Sequence, residues 1–134
     1  MYRTQKGFTL IELIVVIVLL GILGVTALSK FQNLALEARN ATIQGIASEI
    51  TGGSSINYGA SLLGAATAVD TSGGSAACAT ISAGLLSAGA LPTDYTAAAG
   101  AGTCAAAGDV FTCTIDHSDT GTTAATATIL CSGP

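Results

Sequence analysis

The 134-residue chain has no tryptophan, one histidine, two prolines and only four lysine or arginine residues. Charged residues make up 9% of the sequence and aromatic residues 4%. Only Lys30 and Arg39 are basic after residue 7, so the acidic surface would repel nucleic acid and we expect no nucleic-acid partner. With His117 as the sole histidine, catalytic triads and zinc sites lack their usual components, and we expect no enzyme activity, cofactor or metal.

The segment Asp116–Gly121 combines two aspartates with His117, a composition that could suggest calcium binding or catalysis. An EF-hand loop needs acidic ligands at alternate positions, a glycine at the sixth and a glutamate at the twelfth. Only the first and sixth positions match here. The segment therefore predicts a solvated hairpin turn.

A long apolar run extends from Phe8 to Leu28 and contains one carboxylate near its start, that of Glu12. As an α-helix this run would be about 31 Å long, which matches the hydrocarbon thickness of a bilayer. An ionised group inside such a span is costly, so it usually has a partner or a function. No cation lies on the same face within a helical turn or two, and we expect the partner of Glu12 to come from elsewhere.

Residues 7–13, Gly-Phe-Thr-Leu-Ile-Glu-Leu, follow a short basic segment. This arrangement resembles the leader of type IV prepilins, and the cleavage motif has no mismatch. The resemblance implies that a membrane-embedded prepilin peptidase cuts between Gly7 and Phe8 and methylates the new amino terminus on Phe8. The ammonium group would be a candidate partner for Glu12 of a neighbouring subunit, which makes Glu12 the expected assembly residue.

A cleaved secretory signal peptide is the alternative interpretation of this segment. It fits poorly, because the run is longer than the usual 7–15 residues, adjoins a glycine and contains a glutamate. By the positive-inside rule, Arg3 and Lys6 stay on the cytoplasmic side and the chain after Leu28 faces outward. We expect an inner-membrane precursor and, after assembly, an extracellular pilus.

The remainder of the chain predicts a helical spine followed by a small domain. An amphipathic helical pattern continues after Leu28 and weakens at Gly52-Gly53, so the helix should end there or fray before Tyr58. The composition then shifts to alanine, glycine, serine and threonine. The predicted organisation is a leader at 1–7, a transmembrane and filament-core helix at 8–28, an amphipathic half of the spine at 29–58 and a globular head at 59–134.

The predicted head contains little regular structure before Gly108, because clusters of small residues and glycines interrupt it. One short helix is predicted within Ala77–Ala90. Further on, Val110–Ile115 and Ala125–Cys131 are rich in β-branched residues and flank the polar turn Asp116–Thr122, which predicts a β-hairpin.

The exported part has four cysteines, and an even count in an oxidising compartment predicts two disulfides. These residues are Cys78, Cys104, Cys113 and Cys131. Three pairings are possible. We favour Cys78 with Cys104 and Cys113 with Cys131, because the second pair flanks the predicted hairpin and would join its two strands.

The family resemblance also extends beyond the leader. Ser29–Leu34 and Glu37–Ala41 resemble the spine of mannose-sensitive haemagglutinin-type pilins, and this likeness ends near Tyr58. It implies an α+β, type IV pilin-like fold. In that fold a long amino-terminal helix, apolar in its first half and amphipathic in its second, packs on a small antiparallel sheet in a disulfide-stapled head.

The resemblance implies a structural subunit of a surface filament. Such a subunit forms a helical homo-oligomer, is assembled by inner-membrane machinery and serves adhesion, biofilm formation or motility. The main alternative is a pseudopilin of a type II secretion system, although major secretion pseudopilins commonly lack disulfides and carry a calcium loop. A third hypothesis is a singly displayed binding domain whose helix stays in the membrane.

Overall fold

The structure is a computed structural model that describes residues 7–133. The chain divides into two compact units, Met1–Ala35 and Leu36–Pro134. The elements in chain order are helix α1 (Leu10–Leu62), a 3₁₀ turn (Gly74–Ala77), helix α2 (Cys78–Leu85) and strands β1 (Tyr95–Ala99), β2 (Val110–His117) and β3 (Ala125–Leu130). Helix α1 contributes residues to both units. Six residues of the predicted leader, 1–6, lie outside the described part of the chain.

The amino-terminal unit is described from residue 7 to residue 35, and each of these residues is exposed. The helix that starts here is long and apolar enough to cross a membrane. Its hydroxyl groups bond to the helix itself: Thr26 Oγ1 donates to the carbonyl oxygen of Leu23 at 3.0 Å, and Ser29 Oγ donates to that of Thr26 at 3.1 Å. These bonds satisfy the hydroxyls without a partner from outside, as a membrane requires.

The carboxyl-terminal unit is built on an antiparallel sheet in the order β1-β2-β3. Alternate residues of β2 and β3 point to one buried face, as the two-residue period of a strand dictates. Helices α1 and α2 cover that face with residues spaced three and four apart. The large apolar side chains buried in this core are those of Ile43, Ile46, Ile50, Ile81, Leu85, Leu86, Phe111, Ile115 and Ile129.

Helix α1 also covers the outer edge of β3. Thr51 Oγ1 accepts the backbone N–H of Thr128 at 3.0 Å, and Ser54 Oγ accepts that of Leu130 at 2.6 Å. An uncovered strand edge presents unpaired backbone groups that can recruit other chains. Two hydroxyls of the helix therefore complete the hydrogen bonding of this strand edge.

The turn between β2 and β3 is attached to α1 as well. Arg39 Nε lies 3.0 Å from Asp119 Oδ2, and Asn40 Oδ1 accepts the backbone N–H of Thr123 at 2.8 Å. The tip of the predicted solvated turn is exposed, as expected, at residues 118–121. The turn is nevertheless attached to the helix, through Asp119 within the exposed tip and Thr123 just after it.

The predicted end of the helix is wrong, because α1 continues through Gly52, Gly53 and Tyr58 to Leu62. A Cβ atom at Gly53 would lie 2.5 Å from the carbonyl oxygen of Leu85 at the end of α2. Glycine at this position lets the two segments approach closely. Packing against α2 thus stabilises the helix where local propensity disfavours it.

The short helix and the hairpin are confirmed, as α2 and as the β2–β3 pair. Strand β1 was not predicted, because its sequence, Tyr-Thr-Ala-Ala-Ala, has little intrinsic strand preference. It forms by pairing with β2 from Tyr95, opposite His117, to Ala99, opposite Cys113. The overall α+β class, with a long amino-terminal helix and an antiparallel sheet, is also confirmed.

Two disulfides form, but not in the predicted pairing. Cys78 pairs with Cys113 at a Cα–Cα distance of 5.6 Å, and Cys104 pairs with Cys131 at 5.7 Å. The prediction that joined Cys78 to Cys104 and Cys113 to Cys131 is therefore wrong.

The register of the hairpin explains this correction. The backbone N–H of Cys131 donates to the carbonyl oxygen of Asp109 at 2.8 Å, so Cys131 lies opposite Asp109. Cys113 is four residues further along β2, or about 13 Å away at the rise of a strand. A disulfide needs Cα atoms within about 7 Å, which excludes the favoured pair.

Two buried serines predict opposite effects of the same substitution on stability. Ser54 and Ser82 are both fully buried, but Ser54 accepts the N–H of Leu130, whereas the Ser82 hydroxyl has no hydrogen-bond partner among residues 7–133. Ser54→Ala should lower the free energy of unfolding by about 1–3 kcal/mol, because it leaves a buried N–H without an acceptor. Ser82→Ala should be neutral or stabilising by up to about 1 kcal/mol.

Urea unfolding of the full chain in detergent, followed by circular dichroism, measures both changes. Equal destabilisation by the two substitutions would contradict this account of the strand edge.

A carboxylate on α1 predicts how stability changes with pH. Glu49 Oε1 accepts the hydroxyl of Ser87 at 2.6 Å and its backbone N–H at 2.9 Å, and these bonds, the hydroxyl first, lower the pKa of Glu49 below its usual 4.5. Since the folded-state pKa is the lower one, this stabilisation is complete above pH 4.5 and is lost as the pH falls through the folded-state value. The stability difference between the unaltered chain and Glu49→Gln should be constant near neutral pH and shrink on acidification.

Unfolding measured at a series of pH values tests this expectation. Ser48→Ala is the matched control, because the Ser48 hydroxyl bonds to the carbonyl of Gln44 and leaves the Glu49–Ser87 bonds intact. A Glu49→Gln difference that stays the same at all pH values would refute it.

Candidate functional site

The candidate site lies at the start of α1. The helix begins at Leu10, and the three described residues before it, Gly7, Phe8 and Thr9, have no regular secondary structure. The predicted cleavage site between Gly7 and Phe8 is therefore in non-helical backbone. The side chain of Phe8 is 93% exposed, so this segment is accessible.

Thr9 and Glu12 cap the helix reciprocally. Glu12 Oε2 accepts the backbone N–H of Thr9 at 2.9 Å and its hydroxyl at 2.8 Å, while the backbone N–H of Glu12 lies 3.4 Å from Thr9 Oγ1. This is the capping-box arrangement, in which two residues three apart satisfy otherwise unpaired N–H groups at a helix start. It also places the carboxylate at the positive end of the helix dipole.

Sequence analysis missed Thr9, although the Thr-x-x-Glu spacing is a known signature of this cap. Glu12 was interpreted as a carboxylate without a partner in its own chain. The structure gives it hydrogen-bond donors but no cation among residues 7–133. The charge is thus oriented and hydrogen-bonded, but not neutralised.

The surface around the cap is apolar on all sides. The large apolar side chains from Phe8 to Leu34 leave between 43% and 93% of their surface exposed. Exposed apolar surface of this extent marks contact with a membrane or with other proteins. The site is therefore a single carboxylate at the start of a helix that requires an apolar environment.

The other predicted residues lie away from this site. The four cysteines belong to the carboxyl-terminal unit, where their two disulfides contribute to its core. His117 Nδ1 accepts the backbone N–H of Asp119 at 3.0 Å, and its ring meets that of Tyr95 edge to face at 4.7 Å. Within residues 7–133 no group of three or more histidine, cysteine, aspartate or glutamate side chains could hold a metal ion.

These features define a class of protein: a membrane-length apolar helix with a capped acid at its start, continued by a disulfide-bonded α+β unit. The family model of the prokaryotic N-terminal methylation motif matches residues 2–28. The chain therefore carries the leader motif that type IV pilin-like and pseudopilin precursors share. This leader and the apolar helix fit a precursor that is anchored in a membrane.

The match ends with the apolar run and does not distinguish subtypes. The likeness to mannose-sensitive haemagglutinin-type pilins therefore stays a prediction, as do the predicted domain boundaries. No curated protein and no solved structure matches the chain.

The cap predicts the effect of changing Thr9. Thr9→Val removes the hydroxyl that donates to Glu12 but keeps the backbone N–H and the shape of the side chain. The first turn of α1 should fray more often, because the backbone N–H of Glu12 loses its acceptor, Thr9 Oγ1, and the Glu12 carboxylate loses one of its two donors. Amide hydrogen exchange in detergent micelles should become several-fold faster at residues 10–13 and remain unchanged beyond Val25.

Thr9→Ser is the matched control for this experiment, because serine keeps the hydroxyl. Equal exchange rates in the valine and serine variants would show that the hydroxyl does not cap the helix.

Proposed function

We propose that this chain is the structural subunit of a type IV pilus-like surface filament. In this proposal prepilin peptidase cuts the chain after Gly7, Phe8 is methylated on its new amino group, and the subunits polymerise through their amino-terminal helices. The filament serves adhesion, biofilm formation or motility. The observation that carries the proposal is an exposed, all-apolar helix that bears one capped acid directly after a methylation leader.

Assembly follows from the environment that the helix needs. A helix that is apolar all round is stable in lipid but exposes its side chains to water when it leaves the bilayer. Helices of other subunits can replace the lipid, since they supply apolar surface on every side. A filament core made of such helices is therefore the expected destination of residues 8–28.

Glu12 has one carboxylate oxygen available for a second chain. Both bonds from Thr9 fall on Oε2, and Oε1 accepts no hydrogen bond from the described residues. Cleavage would convert the nitrogen of Phe8 from an amide into an ammonium group, whose pKa is ordinarily about 7.7–8.0. In the proposed assembly, the ammonium of one copy pairs with Glu12 Oε1 of its neighbour, and the apolar surroundings strengthen this pair.

The proposed route begins in the inner membrane. Arg3 and Lys6 hold the leader on the cytoplasmic side, and the carboxyl-terminal unit folds outside, where its two disulfides can form. Membrane-bound assembly machinery then moves the processed subunit into the extracellular pilus.

A type II secretion pseudopilin is the second candidate, since the leader motif is common to both classes. The two disulfides favour the pilus, because a long extracellular fibre needs subunits that stay folded outside the cell. A singly displayed binding domain is the third candidate. In that case Glu12 would cap its own helix, but its charge would have no cation among the described residues as a partner.

Substitution of Glu12 tests the proposal. Glu12→Gln removes the negative charge but keeps the size and an acceptor for Thr9, so the leader should still be removed and fibres should be lost. Electron microscopy of cells and of sheared material counts the fibres, and mass spectrometry of the membrane fraction reports cleavage and methylation. Asp94→Asn is the matched control, an exposed carboxylate in the carboxyl-terminal unit, and should assemble normally.

Normal fibres from Glu12→Gln would contradict the assembly role. Short membrane-bound stubs at natural expression levels, together with a requirement for this chain in protein secretion, would favour the pseudopilin.

A further inference from the structure

Lys30 is an exposed cation without a carboxylate partner in the described part of its own chain. Arg39, the other basic side chain among residues 7–133, pairs with Asp119 at 3.0 Å. Lys30 is therefore the basic side chain that can form an ion pair with another molecule.

The carboxylates also divide into those that have a partner within the chain and those that have none among the described residues. Six of the eight accept hydrogen bonds or an ion pair within the chain: Glu12, Glu49, Asp70, Asp109, Asp116 and Asp119. Within residues 7–133, the carboxylates of Glu37 and Asp94 have no such partner. Glu37 lies on the same helix as Lys30, whereas Asp94 lies in the turn before β1.

Lys30 and Glu37 cannot satisfy each other within one chain. They are seven residues apart in α1, which corresponds to two turns and about 10.5 Å along the axis. Ion pairs on one helix form at separations of three or four residues. Lys30 and Glu37 thus lie on nearly the same side of α1 but are too far apart along its axis to form an ion pair.

Glu12 lies on that face as well. It is eighteen residues before Lys30, which is five whole turns of a helix with 3.6 residues per turn. The seven residues from Lys30 to Glu37 correspond to a rotation about 20° short of two full turns. Glu37 therefore lies nearly in line with Glu12 and Lys30. One side of α1 therefore carries an acid, a base and an acid at intervals set by the helix period.

We infer that Lys30 of one copy pairs with Glu37 of the neighbouring copy, as a second ionic contact beside the pair of Phe8 with Glu12. This inference rests on the proposed function. If Phe8 of one copy lies level with Glu12 of its neighbour, the two helices are displaced along their axes by four residues, or about 6 Å.

The same shift brings Lys30 level with residue 34 of the neighbour. Three further residues, about 4.5 Å, separate it from Glu37, and the four-carbon stem of lysine covers that distance. In both pairs the cation comes from the earlier position in the chain, so one shift in one direction satisfies both. The occupant of this face is therefore a second copy of the chain, which supplies the complementary charges at the matching spacing.

A charge swap tests the pairing. Lys30→Glu and Glu37→Lys should each lower the yield of sheared fibres several-fold, because each places like charges together. The double variant Lys30→Glu/Glu37→Lys should restore most of the yield. Leader removal, measured by mass spectrometry, should be normal in all three.

A cross-link between two introduced cysteines provides a second measurement that does not depend on yield. In Lys30→Cys/Glu37→Cys, a disulfide within one helix is excluded, since the Cα atoms are about 10.5 Å apart and a disulfide needs about 7 Å or less. Mild oxidation of the membrane fraction or of fibres should give a ladder of covalent multimers. Lys30→Cys/Ala35→Cys is the matched control and should give none, because residue 35 faces the opposite side of the helix.

The outcomes separate this inference from the function on which it rests. An unaltered chain that never forms fibres or stubs contradicts the proposed function itself. Fibres from the unaltered chain, with full yields from both single reversals, overturn only the Lys30–Glu37 pair. Two other results would also overturn only this pair. One is a fibre yield from the double variant that is as low as those of the single variants. The other is a ladder of covalent multimers from Lys30→Cys/Ala35→Cys that equals the ladder from Lys30→Cys/Glu37→Cys.

Discussion

The hydrogen bonds between Thr9 and Glu12 are the interaction on which the rest of the chain depends. A helix that exposes apolar side chains on all sides can carry a charge only where that charge has donors, and the first turn of a helix has N–H groups to spare. Placing the acid three residues after a threonine satisfies both needs at once. One oxygen, Oε1, accepts no hydrogen bond from the described residues, so it can still accept a bond from another molecule.

The carboxyl-terminal unit folds although it has few charged and few large side chains. Its sheet has only three strands, and one edge is completed by hydroxyl groups of α1 instead of a fourth strand. Two disulfides and the close approach at Gly53 supply contacts that larger side chains would otherwise make. The same helix thus provides the apolar surface of one unit and the framework of the other.

Features encoded by neighbouring residues could be predicted from the sequence, and features that depend on distant contacts could not. The apolar run, the leader and the hairpin are local patterns, and the structure and the family match confirm them. Strand β1 is alanine-rich and exists through its pairing with β2. The continuation past Gly53 and the disulfide pairing depend on which segments meet in space. The capping box is also a local pattern, since Thr9 and Glu12 have the Thr-x-x-Glu spacing of this cap.

The two disulfides have overlapping spans, since Cys104 lies between Cys78 and Cys113, and Cys113 lies between Cys104 and Cys131. A protease that cleaves the backbone once, anywhere from residue 78 to residue 131, leaves two fragments that are still joined by at least one bridge. A chain nicked in this way would therefore keep all its parts. With this connectivity, a single proteolytic cut within the disulfide-bonded region releases no fragment.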